Sequence, residues 1–477
     1  MAFSRQTLSP MLILSTSLLV ISAFNYGFSD QAFASCQAMD AFDRQFGFYN
    51  EKTGVWKRHP LFTSLYNSLK AGGQIIDVYL GMQMAVIPTT LTELAPAKVR
   101  GGMGVLYWLS IKVGGLVVTS ITRGTSSMYS NAAWRIPFGL ILVVPFMISW
   151  SIWFVPESPR WLLLRGRHSE ALVSLTRLKP KNTPEESIQE EFEILSQKVA
   201  HQLEKKRFRD LFTPQNRQRT FVVVAANFFQ QATGQAFASQ YGTLFVKQLK
   251  SINAFSVTLG TNAVDIGAIA ISGSLIDRVG RRAMFHVSST MQTAALMTMG
   301  ALGTAGSSNV SAKQGIVAML VIYSFSWSLG WAPLVYVLGA ELPSSPLREM
   351  TLQIAYFVKL ITEYGFHPFH SLLFRHTMKN STDIGFFRFA VTFSYPYMET
   401  ADTPGHVYLG GKLGFIYGSL SAVAILFGFF FIPETSRLEL EDIDRKFDTP
   451  TVDLLKSVED QTDVEQPRVA EVHEQKN

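Results

Sequence analysis

The sequence predicts an all-α membrane protein made of two homologous helix bundles. Of its 477 residues, 47% are hydrophobic and 16% are charged, and the charges are concentrated in a few stretches. An ordinary soluble domain carries about 25% charged residues. Ten segments are apolar over the roughly 20 residues that an α-helix needs to cross a hydrocarbon core. Two short motifs also recur, in the same order, in the two halves of the chain.

The ten apolar segments are joined by short polar connections, apart from one long interruption. The first segment follows Arg5 and could be mistaken for a secretory signal, but its length and the lack of a small-residue cleavage pattern before Asp30 predict a retained helix. The second and ninth segments are irregular. The ten cover residues 11–34, 61–94, 102–122, 133–155, 220–248, 254–276, 284–306, 314–342, 351–372 and 410–432.

The long interruption, residues 156–219, is rich in Lys and Arg. Cytoplasmic loops carry such an excess, so the stretch is predicted to lie in the cytoplasm. The spacing from Ile188 to Leu203 predicts an amphipathic helix beneath the membrane domain. The net charge of +6 has the same origin and does not indicate nucleic-acid binding. The single cysteine, Cys36, excludes an intramolecular disulfide, and no Cys/His spacing resembles a metal site.

Two repeated motifs divide the chain. Pro156-Glu-Ser-Pro-Arg160 follows the fourth segment, and Pro433-Glu-Thr-Ser-Arg437 follows the last. Glu93 and Arg100 stand seven residues apart, as do Glu341 and Arg348. The repeats predict two homologous halves. The predicted domains are an N-terminal bundle, a cytoplasmic linker with amphipathic helices, a C-terminal bundle and a cytoplasmic tail, over residues 1–155, 156–219, 220–437 and 438–477.

The two halves differ in two places. Arg348 and Pro433 are 85 positions apart, against 56 between Arg100 and Pro156, which indicates an insertion near residues 365–388. The sequence Asp277-Arg-Val-Gly-Arg-Arg282 also has no counterpart in the first half. Its expected place is near Ile76, where two apolar pieces are joined directly. The first bundle is therefore predicted to be incomplete.

With these motifs the chain resembles the sugar porters of the major facilitator superfamily, especially the fungal ones. The matching elements are PESPRWL at 156–162, DRVGRR at 277–282, QQATG at 230–234, the two Glu/Arg loops and PETSRLELED from Pro433. The resemblance covers roughly residues 11–445. It implies the transporter fold of that superfamily, with two six-helix bundles and alternating access to one sugar. This chain has about ten transmembrane helices instead of twelve and lacks part of helices 2–4, which is explained by a faulty gene model or by a real isoform.

Charged residues at helix ends on the cytoplasmic side are candidates for gating. Opposite charges there can latch the two bundles in one state and release them in another. The alternative is that they act only as orientation signals and helix caps. The candidates are Glu93, Arg100, Glu157, Arg160, Asp277, Arg278, Arg281, Arg282, Glu341, Arg348 and Glu434.

A sugar site needs amide and hydroxyl groups for hydrogen bonds and aromatic faces for stacking. Gln230, Gln231 and Gln235 provide amides within one span, where an unpaired amide in lipid is costly. The first two are carried over from the family motif. The aromatic candidates are Tyr241, Trp331 and Tyr336, and for Trp331 a place in the core or the interfacial belt is the competing interpretation.

Four ionisable residues inside the spans bear on proton coupling and on the charge of the substrate. Asp30 matches the first-helix acid that proton-coupled relatives use, but the Arg that accompanies it would lie in the missing segment. Lys112 and Asp265 stand where relatives carry a Gln and an Asn, and Lys359 replaces another Asn. Lys112 is expected to pair with Asp30 or Asp265, or to meet a carboxylate on the substrate.

The sequence thus predicts a multi-pass protein of the plasma membrane that transports a sugar. Its expected partners are the sugar, protons as coupling ions, and the membrane lipid. Nothing in the sequence resembles a catalytic triad, a phosphate loop or a cofactor site, so an enzyme is not expected. The alternatives are a transporter of sugar acids such as galacturonate or quinate, a sensor that does not transport, and a truncated, defective isoform.

Overall fold

The computed structural model describes the greater part of the chain. Several predictions lie outside the described residues, namely the second apolar segment, Glu93, the insertion near 365–388 and the tail, together with the side chains of Arg100 and Asp277. The described residues are 9–51, 54–58, 100–151, 153, 156–180, 183–202, 208–305, 309–344, 347–364 and 410–435.

The first half is built around α1 (Pro10–Cys36), which begins at an N-cap serine followed by proline. A small outer cap follows it, made of α2 (Asp40–Phe46) and the antiparallel strands β1 (Phe48–Asn50) and β2 (Val55–Lys57). The remaining described helices of this half are α3 (Arg100–Thr125), α4 (Ala132–Ile141) and α5 (Val143–Ser151).

Glycines allow α1 and α3 to pack in close contact. A Cβ atom at Gly27 would lie 1.9 Å from the carbonyl oxygen of Ile111, and one at Gly114 would lie 2.1 Å from that of Phe24. Small residues let two helix backbones approach in this way in membrane bundles. The pair is therefore the packing centre of the first half.

Three short helices form a compact unit between the halves. They are α6 (Pro159–Leu164), α7 (His168–Leu178) and α8 (Glu185–Gln202), and they enclose a small apolar cluster that includes Leu162 and Val199. The hydroxyl of Ser9, just before α1, donates to the carbonyl of Leu178 at 2.6 Å. We call the adjacent end of the membrane helices the linker end and the opposite one the outer end.

The second half contains eight described helices. They are α9 (Pro214–Ala232), α10 (Gly242–Leu249), α11 (Ala254–Val279), α12 (Arg281–Leu302), α13 (Val310–Leu329), α14 (Trp331–Glu341), α15 (Arg348–Tyr364) and α16 (Leu413–Phe431). Two pairs, α9/α10 and α13/α14, are each one span broken near its middle. The eight helices thus form six spans.

The break between α9 and α10 is set by Gly234, whose φ of 100° is in the region that favours glycine. A turn of π-helix, Phe237–Tyr241, follows it. Single π turns of this kind occur frequently at functional sites. Here the turn contacts α1 of the first half.

Six stretches of the described residues are long and apolar enough to cross a membrane. They are Pro10–Cys36, Gly104–Thr125, Ala132–Ser151, Ala254–Ile276, Val310–Glu341 and Gly410–Phe431. The predicted spans at 220–248, 284–306 and 351–372 overlap α9/α10, α12 and α15 over the described residues, and these helices carry more polar residues. The all-α prediction for the spans is confirmed over the described residues.

The largest apolar core joins the two halves. Tyr107, Trp108 and Ile111 of α3 belong to the same buried cluster as residues of α9, α11 and α14. The rings of Trp108 and Trp327 meet edge to face, with their centroids 5.5 Å apart. Because α3 packs directly against the second half, polar residues on its face are brought to the interface between the bundles.

Candidate functional site

A cavity of about 60 Å³ lies between the two halves. It is larger than the space of roughly 10–15 Å³ that one water centre requires. Its walls come from α1, α3, the π turn, α10, α11 and α13. Its polar and charged lining consists of Gln31, Lys112, Gln235, Ser239, Thr243, Thr258, Thr261, Asn262, Asp265 and Ser324.

An ion pair crosses the cavity from one half to the other. Nζ of Lys112 on α3 lies 2.6 Å from Oδ2 of Asp265 on α11. The hydroxyl of Ser324 on α13 lies 2.9 Å from each carboxylate oxygen of Asp265. The Asp265 side chain is 2% exposed and that of Lys112 is 15% exposed. The structure thus selects Asp265, not Asp30, as the described partner of Lys112.

Asp30 has a different described partner. Nε2 of Gln240, in the π turn, donates to its Oδ1 at 2.8 Å. This contact also joins the first half to the second, since Asp30 belongs to α1. The predicted acid therefore lies at the interface between the halves, where its role in proton coupling stays a prediction.

The three predicted glutamines point to different places. Gln235 lines the cavity. Gln230 is fully buried and donates from Nε2 to the carbonyl of Trp331 at 3.1 Å, which holds α9 against the break between α13 and α14. Oε1 of Gln230 and Oε1 of Gln231 are buried without a hydrogen-bond partner among the described residues. These two oxygens remain available as acceptors, and their role in binding stays a prediction.

The aromatic candidates are packed in apolar surroundings. Trp331 is fully buried, with its ring 4.6 Å from that of Phe285, in agreement with the competing core interpretation. Tyr241 is fully buried in the outer core of the second half. Tyr336 is half-buried against Trp108, and Nζ of the buried Lys359 lies 5.5 Å from its ring centre. None of these three aromatic rings is among the described residues that line the cavity.

At the linker end, the described contacts of the gating candidates bind helices of the second half to one another. Nη2 of Arg281 lies 3.1 Å from Oε1 of Glu341, whose other oxygen accepts from Thr435 at 2.6 Å. The carboxylate of Glu434 accepts from the backbone amides of Arg281 and Arg282, each at 3.0 Å. These contacts cap α12 and fix its start against α14 and α16, which agrees with the helix-cap alternative.

The remaining described gating candidates lie in the linker unit or at the ends of α11 and α15. Glu157 lies 3.9 Å from Arg167 in the linker unit, and its carbonyl accepts from Ser174. Arg278 is exposed at the end of α11. Arg160 and Arg348 lie at the starts of α6 and α15, and both have interactions there. Whether these charges latch the two halves stays a prediction.

At the outer end, polar contacts do join the two halves. Nζ of Lys247, on α10, lies 2.7 Å from Oδ1 of Asp40 and 3.2 Å from Oδ2 of Asp43. Arg123 at the end of α3 donates to the Ser256 hydroxyl at 2.8 Å. We call this group, together with the apolar cluster around Cys36, the outer seam.

Comparison with known proteins assigns the family. The model of the family described as "Sugar (and other) transporter" matches residues 63–447, which is most of the chain. The chain belongs to the sugar transporter family. The family consists of transporters rather than enzymes, and the chain is accordingly a multi-pass integral membrane protein, as the sequence predicted.

Relatives of this sugar transporter family member occur in fungi. It is 27% identical to the probable glucose transporter rco-3 of Neurospora crassa over 391 residues, which are 80% of this chain and 61% of the relative. It is 26% identical to the high glucose sensor RGT2 of Saccharomyces cerevisiae, with 84% of this chain and 51% of the sensor covered. The chain thus spans 61% of the length of the first relative and 51% of the second.

Solved structures place this family member in the major facilitator superfamily fold. It resembles the proton:xylose symporter XylE bound to 6-bromo-6-deoxy-D-glucose, with a TM-score of 0.65, 16% identity, and coverage of 91% of this chain and 99% of the symporter. A second structure, the inward-open conformation of XylE from E. coli, gives a TM-score of 0.60 at 15% identity. These similarities show the fold.

Several lining residues of the transporter cavity were missed from the sequence. Thr258, Thr261 and Asn262 precede the predicted residue Asp265 at helical spacing within an apolar span, so all four share one face of α11. That periodicity was a usable signal. Among the described lining residues, Gln31 and Ser324 are each the one polar side chain that α1 or α13 contributes, so no such periodicity marks them.

Proposed function

We propose that the chain carries a sugar across the plasma membrane by alternating access through the cavity between its halves. The cavity lining supports this proposal best. It combines amides and hydroxyls with one internally neutralised ion pair, and these groups can donate to and accept from the hydroxyls of a neutral sugar. The glucose transporter name of a relative that is 27% identical points in the same direction.

In this proposal Gln235, Lys112 and Asp265 contact the sugar at the cavity wall. Gln230 and Gln231 offer their buried oxygens, and Tyr241, Trp331 and Tyr336 support the site from the packed core of the second half. Asp30 is the site of proton coupling. The two halves, with residues 156–219 as their cytoplasmic linker, move as the alternating bodies.

The direct experiment is counterflow in liposomes reconstituted with the full chain. We expect labelled glucose to accumulate in vesicles preloaded with unlabelled glucose, with saturation and with inhibition by other neutral hexoses. Empty liposomes provide the background. A monodisperse protein that gives only this background at all glucose concentrations would contradict transport.

A sensor is the second candidate, because one relative is named a high glucose sensor. A sensor of this fold would bind glucose in the cavity without carrying it across the membrane. Glucose binding by the purified chain without counterflow would therefore favour the sensor. Binding together with saturable counterflow would favour the transporter.

A further inference from the structure

The cavity contains two opposite charges, although its proposed ligand, a sugar, is neutral. Among the described residues that line it, Lys112 supplies the one positive charge and Asp265 the one negative charge. The other lining residues are amides, hydroxyls, glycine and apolar side chains. The two charges face each other at 2.6 Å, so the cavity is neutral.

The geometry fixes Asp265 more firmly than Lys112. Asp265 is almost fully buried, and its two oxygens accept from Lys112 and Ser324. The Lys112 ammonium has three N–H donors, of which one is directed at Asp265. Because Lys112 is the more exposed partner and lines the cavity, it can donate to a ligand without leaving the carboxylate.

We propose that Asp265 is a specificity determinant: it neutralises Lys112 and so makes the cavity select neutral sugars over sugar acids. A carboxylate that approached Lys112 would also approach Asp265, and like charges at such distances in a weakly polar site repel strongly. The hydroxyl of a neutral sugar carries no such penalty. This inference rests on the proposed function, since it takes the cavity to be the sugar site.

The pair also joins the two halves, which strengthens the case for a site over a purely structural bridge. Lys112 is on α3 of the first half, while Asp265 and Ser324 are on α11 and α13 of the second. A ligand that hydrogen-bonds to Lys112 therefore contacts the interface that must rearrange during alternating access.

The test is competition against labelled glucose bound to the purified full chain, with glucose, glucuronate and glucosamine as competitors. The native chain is expected to bind glucose and to reject both charged analogues. Asp265→Asn keeps the side-chain size and an oxygen that can accept from Ser324, but leaves Lys112 without its counter-ion. We expect at least a tenfold lower half-inhibitory concentration of glucuronate for this variant.

Two further variants control for charge. Lys112→Gln leaves Asp265 uncompensated, so glucosamine, a cation, is expected to compete at least tenfold better than with the native chain. Lys112→Gln combined with Asp265→Asn removes both charges. Because both residues contact the sugar, glucose is expected to bind more weakly, but the ratio of the half-inhibitory concentrations of glucuronate and glucose is expected to return to its native value. Size-exclusion profiles of all three show which variants are folded.

The outcomes separate the two proposals. A native chain that binds no neutral hexose contradicts the proposed function itself. A native chain that binds glucose but accepts glucuronate equally well overturns only the role of Asp265, even if neither single variant folds. A folded Asp265→Asn variant with unchanged glucuronate competition overturns it as well.

Discussion

Gln240 of the π turn donates a hydrogen bond to Asp30 of the first helix, with Nε2 and Oδ1 2.8 Å apart. The bond connects the two halves through the helical break that follows Gly234. In the proposed mechanism the two halves move relative to each other, so a contact between Asp30 and Gln240 would have to change during transport.

Replacing Asp30 by Asn tests proton coupling with little structural change. The amide retains an oxygen that can accept from Gln240, while the titratable group is lost. We expect glucose counterflow to persist and glucose-driven proton uptake, measured with a pH-sensitive dye inside the vesicles, to disappear. Proton uptake in Asp30→Asn equal to that of the native chain would assign coupling to another residue.

Glu434 caps α12, and its removal is expected to destabilise the linker end of the second half. Glu434→Ala leaves the amides of Arg281 and Arg282 without this acceptor, at a cost of about 1 kcal/mol. Gly280→Ala should act in the same direction, since its φ is 96° and a Cβ there would lie 2.8 Å from Oε2 of Glu434. Thermal unfolding in detergent measures both. Gly139→Ala, where no atom lies within 4 Å of the added Cβ, is the matched control.

Gly27 is expected to tolerate no side chain. In Gly27→Ala the new methyl group would lie 1.9 Å from the carbonyl oxygen of Ile111, so α1 and α3 must separate. Overpacking of this kind costs about 1–3 kcal/mol. Gly104→Ala on α3 meets no atom within 4 Å and should be neutral or slightly stabilising. Equal melting temperatures of the two variants would contradict the close packing of α1 and α3.

The outer seam can be tested with the native cysteine. Cys36 is the only cysteine of the chain and is fully buried beside α2 and Phe255. Lys247→Met removes the ion pairs to Asp40 and Asp43, so the seam is expected to open more often and Cys36 to react faster with a maleimide. Lys250→Met, at an exposed position three residues further on, should leave the rate unchanged. Equal rates in both variants would show that Lys247 does not hold the seam.

The spans were predictable because their signal is local. A run of about 20 apolar residues is sufficient to indicate each one, and helix α8 followed from the spacing that begins at Ile188. The break in the span at Gly234 was harder to predict, because the motif does not indicate which φ angle the glycine adopts. The repeated acidic motif indicated Glu434 but not its contact with the start of α12.

The pairing of the buried charges was not predictable from one sequence. Lys112 and Asp265 are 153 residues apart, and spacing gives no information on contacts between different spans. Asp30 was an equally reasonable partner for Lys112 until the packing of α3 against α11 was known. The orientation of Gln230 was undetermined for the same reason, because it depends on the carbonyl of Trp331 in another helix.

The hydrogen bond between Ser9 and Leu178 connects the end of α7 to the start of the first helix. Ser9 also accepts from the amide of Leu12, so one residue contacts both the first turn of α1 and the end of α7. If α1 tilts during transport, a fluorescent or spin label on an exposed position of α7, such as Val173, is expected to report the tilt. A label on the linker unit would thus follow movements of the membrane-spanning helices while the sequence of those helices stays native.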